Sequence, residues 1–257
     1  MEQAESHHES YRRLLHAPVI RNMRVMASHL ALRSNHLGMF ADAKQIRRID
    51  DHLAWLLGHK AATFDFIGQV AKEKTLLAGE GNLSFTISLT GMDRIVPSRL
   101  TATTFETEKE LAEMARANAK ELRSMGMTVL HGVDATDLAA TFGSQRFDTI
   151  VFQFPNAGSR DSVEGHTANF ILVRDFLISA AKQLVYSGQV LISAIDSPYY
   201  VGSFQFEEAA EVAGFLPPKV YAFDPDQFPD YEHTMTHQSG NALDDNDQFS
   251  TWVFSLE

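Results

Sequence analysis

Residues 75–85 read Thr75-Leu76-Leu77-Ala78-Gly79-Glu80-Gly81-Asn82-Leu83-Ser84-Phe85. An apolar run halts at a glycine, an acid and a second glycine, and a helix-compatible segment follows, which predicts a strand, a tight turn and a helix start. Two glycines in such a turn let the backbone bend sharply and approach a ligand closely, while the N–H groups of a helix start favour polar or anionic groups. The stretch therefore predicts the first strand and ligand loop of an α/β nucleotide-binding domain, with Gly79, Glu80, Gly81, Asn82, Ser84 and Phe85 as cofactor-binding candidates. Ser84 stands where the dinucleotide fingerprint has its third glycine, so a Gly-x-Gly turn that binds nothing remains a second reading.

The downstream chain keeps the rhythm of such a domain. Leu100 to Phe105 reads as a strand ending in Glu106, Thr107 to Ser124 as a helix, and Thr128 to Gly132 as a strand followed by Val133-Asp134-Ala135-Thr136. Phe147 to Phe152 is a strand ending in Gln153-Phe154-Pro155-Asn156, Asn169 to Val185 a helix, and Gln189 to Ala194 a further strand. Strands alternating with helices imply a parallel sheet covered on both faces. The tail departs from this pattern, because Lys219 to Phe223 and Ser250 to Phe254 are strand-like with no helical period between them. They predict an antiparallel edge pair joined by a long acidic loop, Asp224 to Gln248, whose length marks it as functional or disordered.

Upstream, helical spacing recurs in three stretches: Pro18 to Gly38, Ala41 to Leu57 and Ala61 to Lys72. Residues 1–72 are thus expected to form a small helical unit packed on a domain spanning 73–257. The unit holds ten Lys/Arg against seven Asp/Glu (net +3), leaving twelve against twenty-six (net −14) for residues 73–257. Seven of the eleven histidines fall in the first sixty residues, but none belongs to a compact ligand set such as HExxH, and no metal site is expected.

Composition narrows the classes. With 44% apolar and 21% charged residues, the chain has the make-up of an ordinary globular protein. No run approaches the roughly 20 apolar residues of a membrane helix, and the polar start shows neither a secretory nor an organelle signal, so a cytoplasmic location and no membrane partner are expected. The absence of cysteine excludes disulfides, cysteine-ligated zinc, iron–sulfur clusters and thiol nucleophiles. The net charge of −11 opposes nucleic-acid binding over most of the surface and leaves the N-terminal unit as the basic face.

In open α/β sheets ligands lie at the carboxyl ends of the strands. Glu106 is placed to accept hydrogen bonds from ribose hydroxyls, or it is a helix-start acid. Asp134 is placed to accept from an adenine amine, with Ala135 offering its N–H to the ring, or it is an Asx turn or cap. Gln153-Phe154-Pro155-Asn156 matches the position where nucleobase amino-methyltransferases hold the target nitrogen and stack its ring on an aromatic face; the other reading is an ordinary proline turn. An NAD-dependent reductase shares the first elements, yet no Tyr-xxx-Lys pairing occurs and it needs no terminal antiparallel pair. A seven-stranded sheet with that pair is the arrangement of S-adenosylmethionine methyltransferases.

At the level of motifs, Gly79 to Phe85, Val129 to Thr136 and Arg146 to Gly158 resemble, in order and spacing, the eukaryotic family that methylates N3 of uridine in large-subunit ribosomal RNA. Asn169 to Phe176, Gly188 to Ser193, Pro198-Tyr199 and Phe228-Pro229-Asp230-Tyr231-Glu232-His233 extend the likeness across about residues 74–257. The resemblance implies a class I methyltransferase, Rossmann-like α/β fold with an N-terminal helical extension. It also implies S-adenosylmethionine as donor and a uracil-like ring nitrogen as acceptor, in RNA or in a small heterocyclic molecule. The family's Asn-Phe-Pro-His is here Gln153-Phe154-Pro155-Asn156, so the imidazole is absent and the amide arm is one methylene longer. These four residues and His233 are the catalytic candidates, with Gln153 also counted in the cofactor set. His233, His237 and Asp196 are the groups that could take a proton. Two alternatives stand: a small-molecule N- or O-methyltransferase, and an adenosyl-binding protein that transfers nothing.

Overall fold

The computed structural model describes residues 64–159, 162–163, 165–195, 202–229, 231–233 and 249–256. The helical unit expected over 1–72 thus lies outside the described residues as far as residue 63, as do Asp196 and His237. Seven strands form one sheet: β1 (Thr75–Ala78), β2 (Leu100–Thr103), β3 (Thr128–Leu130), β4 (Phe147–Gln153), β5 (Leu184–Ile195), β6 (Lys219–Phe223) and β7 (Phe249–Ser255). Their order is β3-β2-β1-β4-β5-β7-β6, with β1 to β5 parallel and β7 antiparallel to both β5 and β6. This is the class I methyltransferase, Rossmann-like arrangement. The strand order reverses between β1 and β4, and the carboxyl ends at such a switch point are where open α/β sheets bind ligands.

Side-chain alternation explains why the sheet is buried on both sides. Leu76, Ile150, Phe152, Val190, Ile192, Trp252 and Phe254 join one apolar cluster, while Leu77, Val151, Leu191 and Val253 join the other. The first cluster is closed by α5 (Ala168–Ala181) and α6 (Phe206–Ala213). The second takes in α1 (Phe66–Val70), α2 (Ser84–Thr90) and α3 (Glu113–Ser124), together with Phe223, Phe228, Tyr231 and Phe249. The short α4 (Leu138–Phe142) follows β3. Gln69 on α1 donates from Nε2 to Thr149 Oγ1 on β4 at 2.9 Å, and that hydroxyl donates to the Gln69 carbonyl at 3.0 Å, so α1 is tied to the middle of the sheet.

Three boundaries differ from expectation for local reasons. The helix expected from Thr107 starts at Glu113, because the Thr107 N–H and hydroxyl both donate to Glu110 Oε2 and close a separate turn. The helix expected to reach Val185 ends at Ala181, and β5 begins at Leu184. The register between β4 and β5 shifts after the Phe147–Leu184 pair and resumes at Thr149–Gln189, so a bulge interrupts the strand where only its second part reads as one. The acidic loop is structured where it is described: Asp224 caps a 3-10 turn at Pro225–Gln227, and Phe228 and Tyr231 are buried.

Candidate active site

The turn after β1 hangs on the end of β2. The Gly79 N–H donates to Thr103 Oγ1 at 3.2 Å and the Glu80 N–H to the Thr103 carbonyl at 2.8 Å. Gly79 sits at φ +65°, and a Cβ there would lie 2.7 Å from the Phe152 ring, so only glycine fits. Gly81 is exposed, and Leu83 takes a left-handed conformation, φ 63°, as the chain enters α2.

Glu80 is buried. Its Oε2 accepts from the Thr86 hydroxyl at 2.7 Å and from the Thr86 N–H at 3.3 Å, while its Oε1 has no partner among the described residues. Burial pushes its pKa up to about 7 against the pull of the two Thr86 hydrogen bonds. Asn82 Oδ1 accepts the Ser84 N–H at 3.0 Å. The first turn of α2 therefore has two of its N–H groups taken by Asn82 and Glu80, where the sequence leads one to expect them free for a ligand.

The side-chain donors of Asn82 and Ser84 both go to the carbonyl of Glu232, at 2.9 Å each. Phe85 is core, packed on Phe66, Phe228 and Tyr231. Glu106 is exposed beyond β2, and its carbonyl accepts from Gly132 N–H and the Thr104 hydroxyl. Asp134 Oδ1 accepts from the N–H and hydroxyl of Thr136 and caps the 3-10 turn that begins at the buried Ala135, so that oxygen serves as the cap.

Gln153 ends β4 opposite Ser193 of β5, one residue beyond the pairing of Phe152 with Ala78. It is 8% exposed, and neither its Nε2 nor its Oε1 has a hydrogen-bond partner among the described residues. Phe154 lies at φ 48° and donates its N–H to the Ser193 carbonyl at 2.9 Å. Its ring, expected as an open platform, is buried against Phe223, Phe249 and Tyr231, with the His233 ring 4.9 Å away. Pro155 is buried; Asn156 is exposed and accepts the Gly158 N–H on Oδ1.

His233 Nδ1 lies 3.2 Å from the Tyr231 hydroxyl, and burial pushes its pKa down to about 4, so the ring is neutral at pH 7. Burial, and then the nearby Glu80 charge, push the Tyr231 hydroxyl well above its usual value. The structure thus joins His233 to Phe154 and the first turn of α2 to the chain around Glu232. It leaves Glu106 and Asp134 on the exposed ends of β2 and β3. Thr86, Thr103 and Tyr231 are partners to which motif reading gives no role: Thr103 meets Gly79 and Glu80 from the neighbouring strand, while the hydroxyls of Thr86 and Tyr231 meet Glu80 and His233 nearby in sequence. Among the described residues no group of three or more His, Asp or Glu could hold a metal ion, and no helix is long and apolar enough to cross a membrane.

A family model described as "BMT5-like: rRNA (uridine-N3-)-methyltransferase BTM5-like" matches residues 76–235. A Mus musculus protein described as "Ferredoxin-fold anticodon-binding domain-containing protein 1 homolog" is 34% identical over 176 residues, covering 63% of this chain; the chain spans only 28% of that protein. An uncharacterized Arabidopsis thaliana protein is 29% identical over 200 residues, covering 71% of this chain and 92% of its own length. Among solved structures, TrmN from Thermus thermophilus is similar at 16% identity and a TM-score of 0.42, over 72% of this chain and 44% of that one.

Proposed function

Because this chain belongs to the BMT5-like rRNA (uridine-N3-)-methyltransferase family, we propose that it transfers a methyl group from S-adenosylmethionine to a ring nitrogen of a uracil-like base in RNA. The observation that carries the reading is the set of unpaired polar atoms at adjacent strand ends. Of six buried side-chain atoms without a partner among the described residues, three belong to Glu80 and Gln153. Buried polar groups are nearly always hydrogen-bonded, so unpaired ones next to the switch point of an α/β sheet support a ligand site there.

The residues suit the donor. Gly79 and Gly81 give a turn that a ligand can approach, and Glu80 Oε1 suits a cationic or N–H group. The exposed Glu106 suits ribose hydroxyls, and Asp134 with Ala135 the adenine edge. When bound, S-adenosylmethionine supplies an electrophilic methyl on a sulfonium, displaced in line as the sulfur becomes a neutral thioether. The chain's part is to position the acceptor and remove its proton. Gln153 and Asn156 orient the ring from the end of β4, with Phe154 and Pro155 as the stiff apolar floor. His233, neutral at pH 7 and with its ring beside Phe154, takes the ring N–H proton as the N–C bond forms and the S–C bond breaks.

A small-molecule acceptor is the second reading, favoured by the twenty-six acids against twelve bases of residues 73–257. The test is transfer of labelled methyl to total RNA and, separately, to a small-molecule extract. Label recovered as N3-methyluridine in RNA is expected, and label confined to the extract moves the function to the second reading.

A further inference from the structure

Ser84 and Glu232 are 148 positions apart, yet the Ser84 hydroxyl donates to the Glu232 carbonyl at 2.9 Å and accepts the Glu232 N–H at 3.0 Å. Asn82 adds a second donor to the same carbonyl at 2.9 Å, and its Nδ2 also lies 3.7 Å from the sulfur of Met114. Its Oδ1 is taken by the Ser84 N–H, and its own carbonyl accepts from Asn118 Nδ2 at 2.8 Å, which braces the loop on α3. Both side chains therefore make their hydrogen bonds inside the protein, and both reach the residue between Tyr231 and His233. Tyr231 is anchored on one side, its ring 5.1 Å from Phe85, and His233 lies on the other, its ring 4.9 Å from Phe154.

We propose that Asn82 and Ser84 are positioning residues: they clasp the main chain of Glu232 and so hold His233 against Phe154 at the end of β4, and they do not bind the donor. The proposal rests on the reading of His233 as the proton acceptor. It takes Asn82 and Ser84 out of the cofactor set and makes the donor loop the support of the acceptor side. Since a misplacement of a reacting group by about 1 Å costs up to a hundredfold in rate, loss of the clasp acts on transfer rather than on donor affinity.

The test compares wild type, Ser84→Ala, Asn82→Ala, His233→Ala and the Ser84→Ala/His233→Ala double variant. It uses single-turnover methyl transfer to RNA at saturating donor, donor affinity by calorimetry, and thermal melting to confirm folding. Ser84→Ala and Asn82→Ala are expected to slow transfer roughly tenfold, the worth of one or two lost hydrogen bonds, with donor affinity unchanged. Adding Ser84→Ala to His233→Ala should cause no further loss, since residues that act as one unit are not additive. Tenfold weaker donor binding with an unchanged rate at saturation, or fully additive losses, overturns the proposal.

NMR titration of the His233 ring gives a readout independent of catalysis. Its pKa should move in Ser84→Ala from about 4 toward the ordinary value as the ring is released to water, and no movement overturns the clasp. Failure of the wild type to methylate RNA instead rejects the proposed function, and the titration still decides the positioning role.

Discussion

Glu80 and Thr86 are joined by a 2.7 Å hydrogen bond from the Thr86 hydroxyl to one carboxyl oxygen, while the other oxygen, equally buried, meets no partner among the described residues. Burial outweighs the Thr86 bonds and raises the group from 4.5 to about 7. A raised acid stabilises the fold fully below its unfolded value, and that contribution is lost as pH rises through the folded value, here between about 4.5 and 7. The loss amounts to about 3 kcal/mol at most. His233 has the opposite sign: depressed from 6.5 to about 4, it contributes stability above pH 6.5 that is lost as pH falls through 4. The two slopes oppose each other where their windows overlap. Glu80→Gln is therefore expected to gain stability over wild type progressively from pH 5 to 8, read by urea unfolding across that range; a pH-independent difference refutes the buried, half-satisfied carboxyl.

Gly79→Ala strains the backbone and the packing together. The left-handed φ of +65° costs a non-glycine residue about 1–2 kcal/mol, and the added methyl meets a buried Phe152 ring that packs edge-on against Phe176 at 4.7 Å. The expected destabilisation is roughly 2–4 kcal/mol, seen as a lower urea midpoint with an unchanged slope. A shift within about 0.5 kcal/mol, the range of an ordinary surface change, would mean that the turn relaxes freely.

The sheet is legible in the sequence because its strands are covered on both faces and so read as apolar runs that end at Gly79, Glu106, Asp134 and Gln153. The terminal pair is legible for a different reason, namely that no helical period separates Lys219 from Ser250. The helix Phe206–Ala213 goes unread: its apolar Phe206, Ala209, Ala210 and Ala213 follow helical spacing and Gly214 stops it, but Gln205 before it makes no side-chain cap and lies at φ 46°. Glu80 and Gln153 lie where the strand-and-turn pattern puts them, one past the end of the first strand and its glycine, the other closing the fourth. The contact of Asn82 and Ser84 with Glu232 is not legible, because Glu232 lies 150 and 148 positions away and is met through its backbone, which leaves no trace in residue identity. Phe154 is read as a platform from its type and place, while its burial depends on Phe223, Phe249 and His233 arriving from the far end of the chain.

Charge separates the two halves of the chain, and that gives a test of RNA contact. Phosphates cannot approach the acidic residues of 224–247 unopposed, so RNA is expected to run along the basic N-terminal segment through Arg21, Arg24, Lys44, Arg47 and Arg48, which lie outside the described residues. Each phosphate contact contributes about one unit to the slope of log K against log salt. Arg47→Glu with Arg48→Glu should therefore weaken RNA binding and flatten that slope by about two units, with donor affinity unchanged. RNA methylation equal to wild type in this variant rejects the N-terminal segment as the RNA surface.

Gln153 sets stability against activity. A buried amide with neither end hydrogen-bonded carries a desolvation cost of about 1–3 kcal/mol, and replacing it with an apolar side chain of similar volume removes that cost. If the amide is there to meet a ligand, Gln153→Leu is expected to raise the stability of the free protein by about 1–2 kcal/mol and to slow methyl transfer at least tenfold. Thermal melting and single-turnover transfer on the same samples check both halves. A core glutamine satisfied by some internal partner behaves in the opposite way, since its loss leaves that partner unpaired and lowers stability. The sign of the stability change therefore separates a residue kept for its ligand from one kept for the fold. A destabilised Gln153→Leu that still methylates RNA at the wild-type rate would remove this amide from the site.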